Sequence, residues 1–517
     1  MEVAVNTPYE IALRSVFSYA NPAQEMPVPV VFAAPSGATH RVQAFWDGGQ
    51  EWRVRFCPTE LGEWSWRTEI SNSADTGLLM KSGRFHCVSY AGDNPLYQHG
   101  SLRVAAAGTY LEHADGTPFF WLADTCWNGA LRSTEEDWED YLTTRREQGF
   151  TVIQVVMTQW RGCVSGVHGQ PVFSVGTDGL HLHPAAFQRL DDRLRRINYH
   201  GLVAAPVLLW ALTDNDPGQT LSEADAVLLG KYMRARWDPF QVVHFLGGDG
   251  CYHDHPQGRW QRLGRAIFAD PRERLVTMHP CGTSWVIDLF HGEPWLDFHG
   301  YQSGHGDREV EDLRWHLAGP PEPPWQLHPP KPLVNLEPNY EAHPSYRDRH
   351  PFSAREVRRG VYWSLLSAPV AGVTYGHNWI WPWAVQSQVP DNHEFCGTVS
   401  PWRDAIRSPG AESMTVLRGI VDPLPWWRLR PAQELLAVQP GDHDLRQWVM
   451  AAATPERDLA LVYMPVGGTL HLRLQNQQRA EWLDPRTGKS EPAVLVGDQV
   501  TAPDDEDWLL AMRAGGG

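Results

Sequence analysis

Apolar and polar residues alternate with a period of two through the first hundred or so positions. Tyr9, Ile11 and Leu13 alternate with Glu10, Ala12 and Arg14. Trp52, Val54 and Phe56 alternate with Arg53 and Arg55, and Trp64 and Trp66 with Glu63, Ser65 and Arg67. A period of two gives each strand one buried and one wet face. Asp47-Gly48-Gly49 and Leu61-Gly62 supply turns between strands. Short strands at this spacing predict a β-sandwich over residues 1–98.

From residue 99 to 425 the pattern changes to apolar runs separated by helical periodicity. The runs are 119–123, 151–157, 202–210, 241–246, 275–278, 296–301, 331–336 and 371–375. Between them, Trp138, Tyr141 and Leu142 share one helical face. Phe187, Leu190, Leu194 and Ile197 form a second, Leu228, Leu229 and Tyr232 a third, and Val357, Val361 and Leu365 a fourth. Ser133-Thr134-Glu135-Glu136 reads as a capping box opening the first of these helices. Such alternation implies βα units and a parallel sheet, and its count predicts an α/β fold, a (β/α)8 barrel. A doubly wound open sheet is the alternative, but no Gly-rich phosphate loop follows the first run. Residues 426–517 return to the period of two, with Leu470, Leu472 and Leu474 against His471 and Arg473, an apolar run at 459–464 and a turn at Asp484-Pro485-Arg486-Thr487-Gly488. This predicts a second β-sandwich packed on the barrel.

The net charge of -17 repels DNA, RNA and acidic lipid surfaces, so neither a nucleic acid nor a membrane is expected as partner. No uncharged apolar stretch long enough to span a bilayer occurs. The start, Met1-Glu2-Val3-Ala4-Val5-Asn6, lacks the basic and apolar segments of a secretory signal. Seven scattered cysteines suit a reducing compartment, so a cytoplasmic location is expected. The 25 tryptophans are abundant enough to serve beyond the core, and indole faces stack on sugar rings. The pattern leaves the oligomeric state open.

Barrel enzymes carry their chemistry at the C-terminal ends of the strands. Strand one leads to Asp124 and Trp127, strand two to Gln159 and Trp160, strand three to Trp210 and strand four to Asp249. Strand five leads to His279, strand six carries His299 and Tyr301, strand seven ends at Glu337 with Tyr340 and Glu341 behind it, and strand eight leads to Tyr375, His377, Trp379 and Trp381. Acids, aromatics and hydrogen-bonding groups without lysine suit a sugar pocket. Glycoside cleavage needs two carboxyl groups flanking one bond, one protonated and one ionised. Strands four and seven face each other across a barrel mouth, which nominates Asp249 as general acid/base and Glu337 as nucleophile. Asp124, Trp127, Gln159, Trp160, Trp210, His279, His299, Tyr301, Tyr340, His377, Trp379 and Trp381 are the candidate substrate contacts. Glu341 reads as structural, paired with an arginine such as Arg347. No cofactor is expected. A metal site is not expected either, because His181-Leu182-His183 and His253-Asp254-His255 lack the spacing of a zinc helix and strand one does not end in His-x-His. A metal-dependent hydrolase remains one competing reading, and a non-catalytic carbohydrate-binding protein on the same scaffold another.

Several segments resemble the apiosidase-like glycoside hydrolases. Phe120-Trp121-Leu122-Ala123-Asp124-Thr125-Cys126-Trp127, Arg145-Arg146-Glu147-Gln148-Gly149-Phe150 and Thr151-Val152-Ile153-Gln154 are similar to that family's opening. Leu246-Gly247-Gly248-Asp249-Gly250 and Pro332-Leu333-Val334-Asn335-Leu336-Glu337-Pro338-Asn339-Tyr340-Glu341 are similar to its two active-site segments. Asn21-Pro22, Phe45-Trp46-Asp47-Gly48-Gly49 and Val54-Arg55-Phe56-Cys57-Pro58 resemble the β-sandwich that often precedes such barrels, and the C-terminal segment resembles their closing, collagen-binding-type domain. The resemblance implies an exo-acting hydrolase of a terminal sugar, apiose or another pentofuranose or plant glycoside, with the acid/base at Asp249 and the nucleophile at Glu337. The larger retaining clan more often has Asn-Glu after strand four; Gly248-Asp249 stands there in this chain.

Overall fold

The computed structural model describes residues 1–70, 72, 74–160, 170–253, 257–269, 274–307, 310–473 and 478–514, apart from the side chains of Gln257 and Gln478. Two sequence readings, His253-Asp254-His255 as a cluster and Leu474 as a strand position, reach residues outside this set.

Eight parallel strands close into a barrel. In chain order, strands one to eight are Trp121–Thr125, Val152–Val156, Val203–Leu209, Val243–Gly247, Leu275–Thr277, His299–Tyr301, Leu333–Asn335 and Gly372–Tyr375. Strands one and eight pair in parallel, as do all other neighbours except five and six. That last seam is held by a backbone bond from Asp297 N–H to the Val276 carbonyl, 2.9 Å, and by the Thr277 hydroxyl, which donates to the Phe298 carbonyl and accepts from Gly300 N–H. Strands five and six are three residues each, shorter than the runs 275–278 and 296–301 read from the sequence. Helices Glu135–Glu147, Pro184–Tyr199, Glu223–Trp237, Gln257–Ile267, Ile287–Phe290, Val310–Leu317, Ala354–Leu366 and Pro409–Val421 follow the strands in order.

Side chains alternate across each strand. Trp121, Ala123, Val152, Val156, Val203, Ala205, Val207, Val243 and Phe245 fill the barrel interior, while Leu122, Ile153, Val155, Ala204 and Leu208 pack outward against the helices. Both faces are buried, as a parallel sheet requires. Strand one begins two residues later than the apolar run suggests: Pro118–Phe119 instead pairs antiparallel with Leu111–His113, which also pairs with Leu102–Val104. Leu102, Leu111 and Phe119 of this ribbon join the interior cluster at the N-terminal end of the barrel. A hairpin, Phe173–Gly176 with Gly179–Leu182, stands between strand two and its helix; the sequence reading had only the helix. The first helix is capped by Thr134, whose hydroxyl accepts from Asp137 N–H, rather than by a box starting at Ser133.

The N-terminal domain is a sheet folded into two layers. Strand Thr39–Gly48 belongs to both, carrying a bulge between Trp46 and Gly48. Phe32 of one layer stacks on Phe56 of the other at 4.1 Å. The C-terminal domain sets a six-stranded antiparallel sheet against the two-stranded pair Thr469–His471 and Gln499–Thr501, with Leu470, Val500, Val462, Leu510 and Trp482 in a shared core. Buried ion pairs tie both domains to the helical layer. Asp191 receives Arg55 at 2.7 Å and Arg236 at 2.5 Å, and Arg236 also meets Asp47 at 2.9 Å. At the other end, Arg358 makes a two-pronged contact with Asp507, at 2.8 and 2.7 Å. The outer domains therefore grip the barrel's flank, and its C-terminal mouth is built by the barrel's own loops.

Candidate active site

Strand four delivers Asp249 through Gly247-Gly248. Gly248 passes directly over the Trp210 indole, and a Cβ there would lie 2.0 Å from Trp210 Cε3, so the glycine is needed for the backbone to clear the ring. Strand seven delivers Glu337. Just before it, Asn335 ties the loops after strands six and seven together: its amide donates to Ser303 Oγ at 2.7 Å and Ser364 Oγ at 2.9 Å, and its oxygen accepts from Ser303 and Glu337 N–H groups. Both carboxylates reach the same cavity, of about 230 Å³. One oxygen of each, with a His279 nitrogen, form a triangle whose sides are all within 4.8 Å. Their side chains keep 16% and 9% of their surface exposed, enough for contact with a ligand.

His279 lies between the two acids. Its Nδ1 is 3.2 Å from Asp249 Oδ1 and its Nε2 is 3.5 Å from Glu337 Oε2. The ring is fully buried among Trp127, Trp210 and Phe245. Burial disfavours its protonated form, but the neighbouring Asp249 carboxylate, with the charge of Glu337, outweighs this and raises its pKa. An imidazolium could serve both acids at once, since both ring nitrogens then carry protons. His305 is different. Burial pushes its pKa down to about 3, so it is neutral. Its Nδ1 accepts from Tyr340 N–H, which leaves Nε2 to carry the proton and donate to Glu337 Oε1 at 3.1 Å. Gln302 donates to Asp249 Oδ1 at 3.3 Å.

An arc of indoles walls the cavity. Trp127 meets Trp210 at 5.2 Å, Trp210 meets Trp160 at 5.1 Å, and Trp160 meets Trp381 at 5.8 Å, all near edge-to-face. Tyr340 closes the floor, with its hydroxyl 3.1 Å from Thr125 Oγ1. No lysine or arginine is among the described lining residues.

The structure thus brings Trp127, Trp160, Trp210, Asp249, Glu337, Tyr340 and Trp381 onto one cavity, with His279 beneath the acids. It places the other nominated contacts elsewhere. Asp124 points outward, because its position on strand one is of the opposite phase to the inward Ala123 and Thr125. It accepts from Arg145 Nε and the Tyr141 hydroxyl, each at 2.6 Å, at zero exposure. Gln159 donates to the Phe173 carbonyl at 2.8 Å and holds the hairpin. His299 stacks on His291, and Tyr301 packs on Leu333 and Ala368, both on the outward face of strand six. His377 is buried and accepts from Trp379 N–H, and Trp379 packs against the outer core. Among the described residues Glu341 takes no arginine: it accepts from the Tyr375 and Ser408 hydroxyls and from Gly410 N–H at the start of helix Pro409–Val421. The sequence reading missed Leu212, Gln302, His305, His343, Tyr346, His393, Phe395 and Cys396, which also line the cavity. They sit on irregular loops without periodicity; only the position of Gln302-Ser303-Gly304-His305 just past strand six could have flagged that segment.

Two triads among the described residues have the donors to hold a cation: Asp249, His279 and Glu337, and Asp307, His350 and Glu356. A larger cleft, about 930 Å³, runs between helix Val310–Leu317 and the C-terminal domain. Its Asp444 is half-buried and paired with Arg446 at 2.9 Å, and its Asp442 is exposed, so its described lining lacks the enclosed carboxyl pair of the barrel mouth.

Residues 105–428 match the family described as apiosidase-like, catalytic domain, and residues 2–71 match a domain of unknown function, DUF5060. Among solved structures, a putative glycoside hydrolase from Bacteroides vulgatus is 18% identical with a TM-score of 0.73, covering 99% of both chains. A glycoside hydrolase family 5 protein from the same organism is 22% identical with a TM-score of 0.68, covering 81% of this chain and 94% of its own. A further structure described as a glycoside hydrolase is 24% identical with a TM-score of 0.68, over 81% and 98%. No curated protein matches the chain.

Proposed function

Because the chain belongs to the apiosidase-like family of glycoside hydrolases, we propose that it removes one terminal, uncharged sugar from a glycoside with retention of configuration. The observation that carries this reading is the convergence of Asp249 and Glu337 on one cavity, with oxygens within 4.8 Å of each other. Retaining enzymes space their carboxyl groups by ~5–5.5 Å, whereas inverting ones leave ~6.5–9.5 Å for an intervening water. Ionised Glu337, oriented by the neutral His305 N–H, attacks the anomeric carbon while the Asp249 proton passes to the departing oxygen. A glycosyl ester on Glu337 results. Asp249, now a carboxylate, takes a proton from water, whose oxygen attacks the same carbon and releases Glu337. The small size of the cavity and its closed indole wall support exo action, since they leave room for one ring. The absence of lysine and arginine from its described lining supports a neutral sugar, with apiose or another pentofuranose as the representative choice.

A panel of aryl pyranosides and furanosides, followed by proton NMR from the first minutes, tests the reading. The first-formed sugar should carry the anomeric configuration of the substrate. Release of the opposite anomer would replace the nucleophile role of Glu337 by base catalysis, and binding without any reducing sugar would select the non-catalytic reading.

The Asp249–His279–Glu337 triad supports one rival, a metal-dependent hydrolase, because one His and two carboxylates are plausible zinc donors. With carboxyl chemistry, dialysis against EDTA should leave kcat/KM unchanged. Loss of activity in chelator with recovery on adding zinc would establish the rival.

A further inference from the structure

The floor and the rim of the cavity differ in chemistry. The floor holds both acids, His305, Gln302 and the buried indoles. The rim is Leu212, Tyr346 and Phe395, which are 41%, 42% and 40% exposed. Single exposed apolar side chains are ordinary. Three of them, from the loops after strands three, seven and eight, meeting at one mouth form a patch of the kind that marks a binding site. The Tyr346 and Phe395 rings are 6.1 Å apart at 64°. The Tyr346 hydroxyl is turned inward, where a Cβ on Gly304 would lie 3.0 Å from it, and burial raises its pKa. What Tyr346 presents at the surface is therefore ring. The Arg349 guanidinium lies over one face of the Phe395 ring and donates to its carbonyl oxygen, which leaves the opposite face and the edge of that ring for an occupant.

We propose that Leu212, Tyr346 and Phe395 form a leaving-group subsite that selects a flat, apolar aglycone, a phenol or similar aromatic alcohol, over a second sugar. The proposal rests on the hydrolase reading for the direction in which the occupant leaves. A sugar could lay a C–H face on these rings, but Leu212 and the Phe395 ring offer its hydroxyls no hydrogen bond, and each hydroxyl that gives up water without a new partner costs free energy. An aromatic ring stacks on Phe395 and Tyr346 and covers Leu212, removing apolar surface from water.

Binding and turnover test it separately. First, 4-methylumbelliferone is titrated into the full-length protein with quenching of the cavity tryptophans as readout. Phe395→Ala and Leu212→Ala should each weaken binding by about tenfold, the equivalent of about 1.4 kcal/mol, with the melting temperature unchanged. Phe395→Leu keeps the loop's bulk and should fall between Phe395→Ala and the parent. Second, for whichever sugar is hydrolysed, kcat/KM is compared for its 4-methylumbelliferyl glycoside, its methyl glycoside and a disaccharide. Phe395→Ala should lower the ratio of the aryl to the methyl value by about fivefold or more. Failure of the parent protein to bind 4-methylumbelliferone overturns the proposal, as do equal losses on all leaving groups or a parent preference for the disaccharide. Binding that the variants weaken, with no glycoside cleaved, supports the aromatic subsite and instead removes the hydrolase reading.

Discussion

Glu337→Gln is expected to lower kcat by at least about a thousandfold, a loss of about 4 kcal/mol or more of transition-state stabilisation, on every glycoside the protein cleaves. The substitution keeps the shape of the side chain, and its amide oxygen can still accept the His305 Nε2–H that now meets Oε1 at 3.1 Å. What it removes is the anionic oxygen that must bond to the anomeric carbon. Its effect on the fold should be slight, because the carboxylate is largely buried and a neutral group there has less desolvation to offset. The expected pair of results is therefore an inactive protein with a melting temperature equal to or above the parent's. Near-parental turnover in Glu337→Gln, with deamidation excluded by mass spectrometry, would end the assignment.

The opposite result is expected at the other strand-end acid. Asp124→Asn should destabilise the protein by about 3–5 kcal/mol, the penalty for removing one partner of a buried pair, and lower the denaturation midpoint by about 3–5 °C. Arg145 has zero side-chain exposure. Burial alone would lower its pKa, and the charge of Asp124 more than compensates, holding it above the ordinary value. With Asn at 124, that guanidinium loses its counter-charge and keeps, among the described residues, one amide oxygen there, the Gln148 and Ile406 oxygens and its contacts with the Tyr141, Phe150 and Tyr375 rings. Activity per folded molecule should change less than about threefold, since Asp124 does not reach the cavity. Replacing both partners by apolar residues of similar volume should recover most of the lost stability. A large activity loss at unchanged midpoint would return Asp124 to the site.

These two acids show how far the linear pattern reads. Each follows an apolar run, and each is costly to bury without a partner. Glu337 lies past the end of its strand, where the chain enters the mouth. Asp124 lies within its strand, on the face turned to helix Glu135–Glu147. An apolar run buried on both faces carries no alternation from which to read that phase, so Asp124, His299 and Tyr301 were nominated with the residues that do face the cavity. The helix faces were readable because their outer side is wet. The hairpin at Phe173–Gly176 and the three-residue strands five and six are too short for periodicity to speak.

The chain's own order of residues determined the three-part architecture, the barrel and the acids at the ends of strands four and seven. The reason is local: solvent on one side of a helix or sandwich strand, and turns between elements, leave a period in the sequence. Tertiary structure alone decided which side of each barrel strand faces inward, the pairing of His279 with both acids, the tautomer of His305 and the apolar rim of the cavity. Those features join residues from separate loops, tens to nearly two hundred positions apart, and such contacts exist only once the sheet has closed and its helices have packed around it.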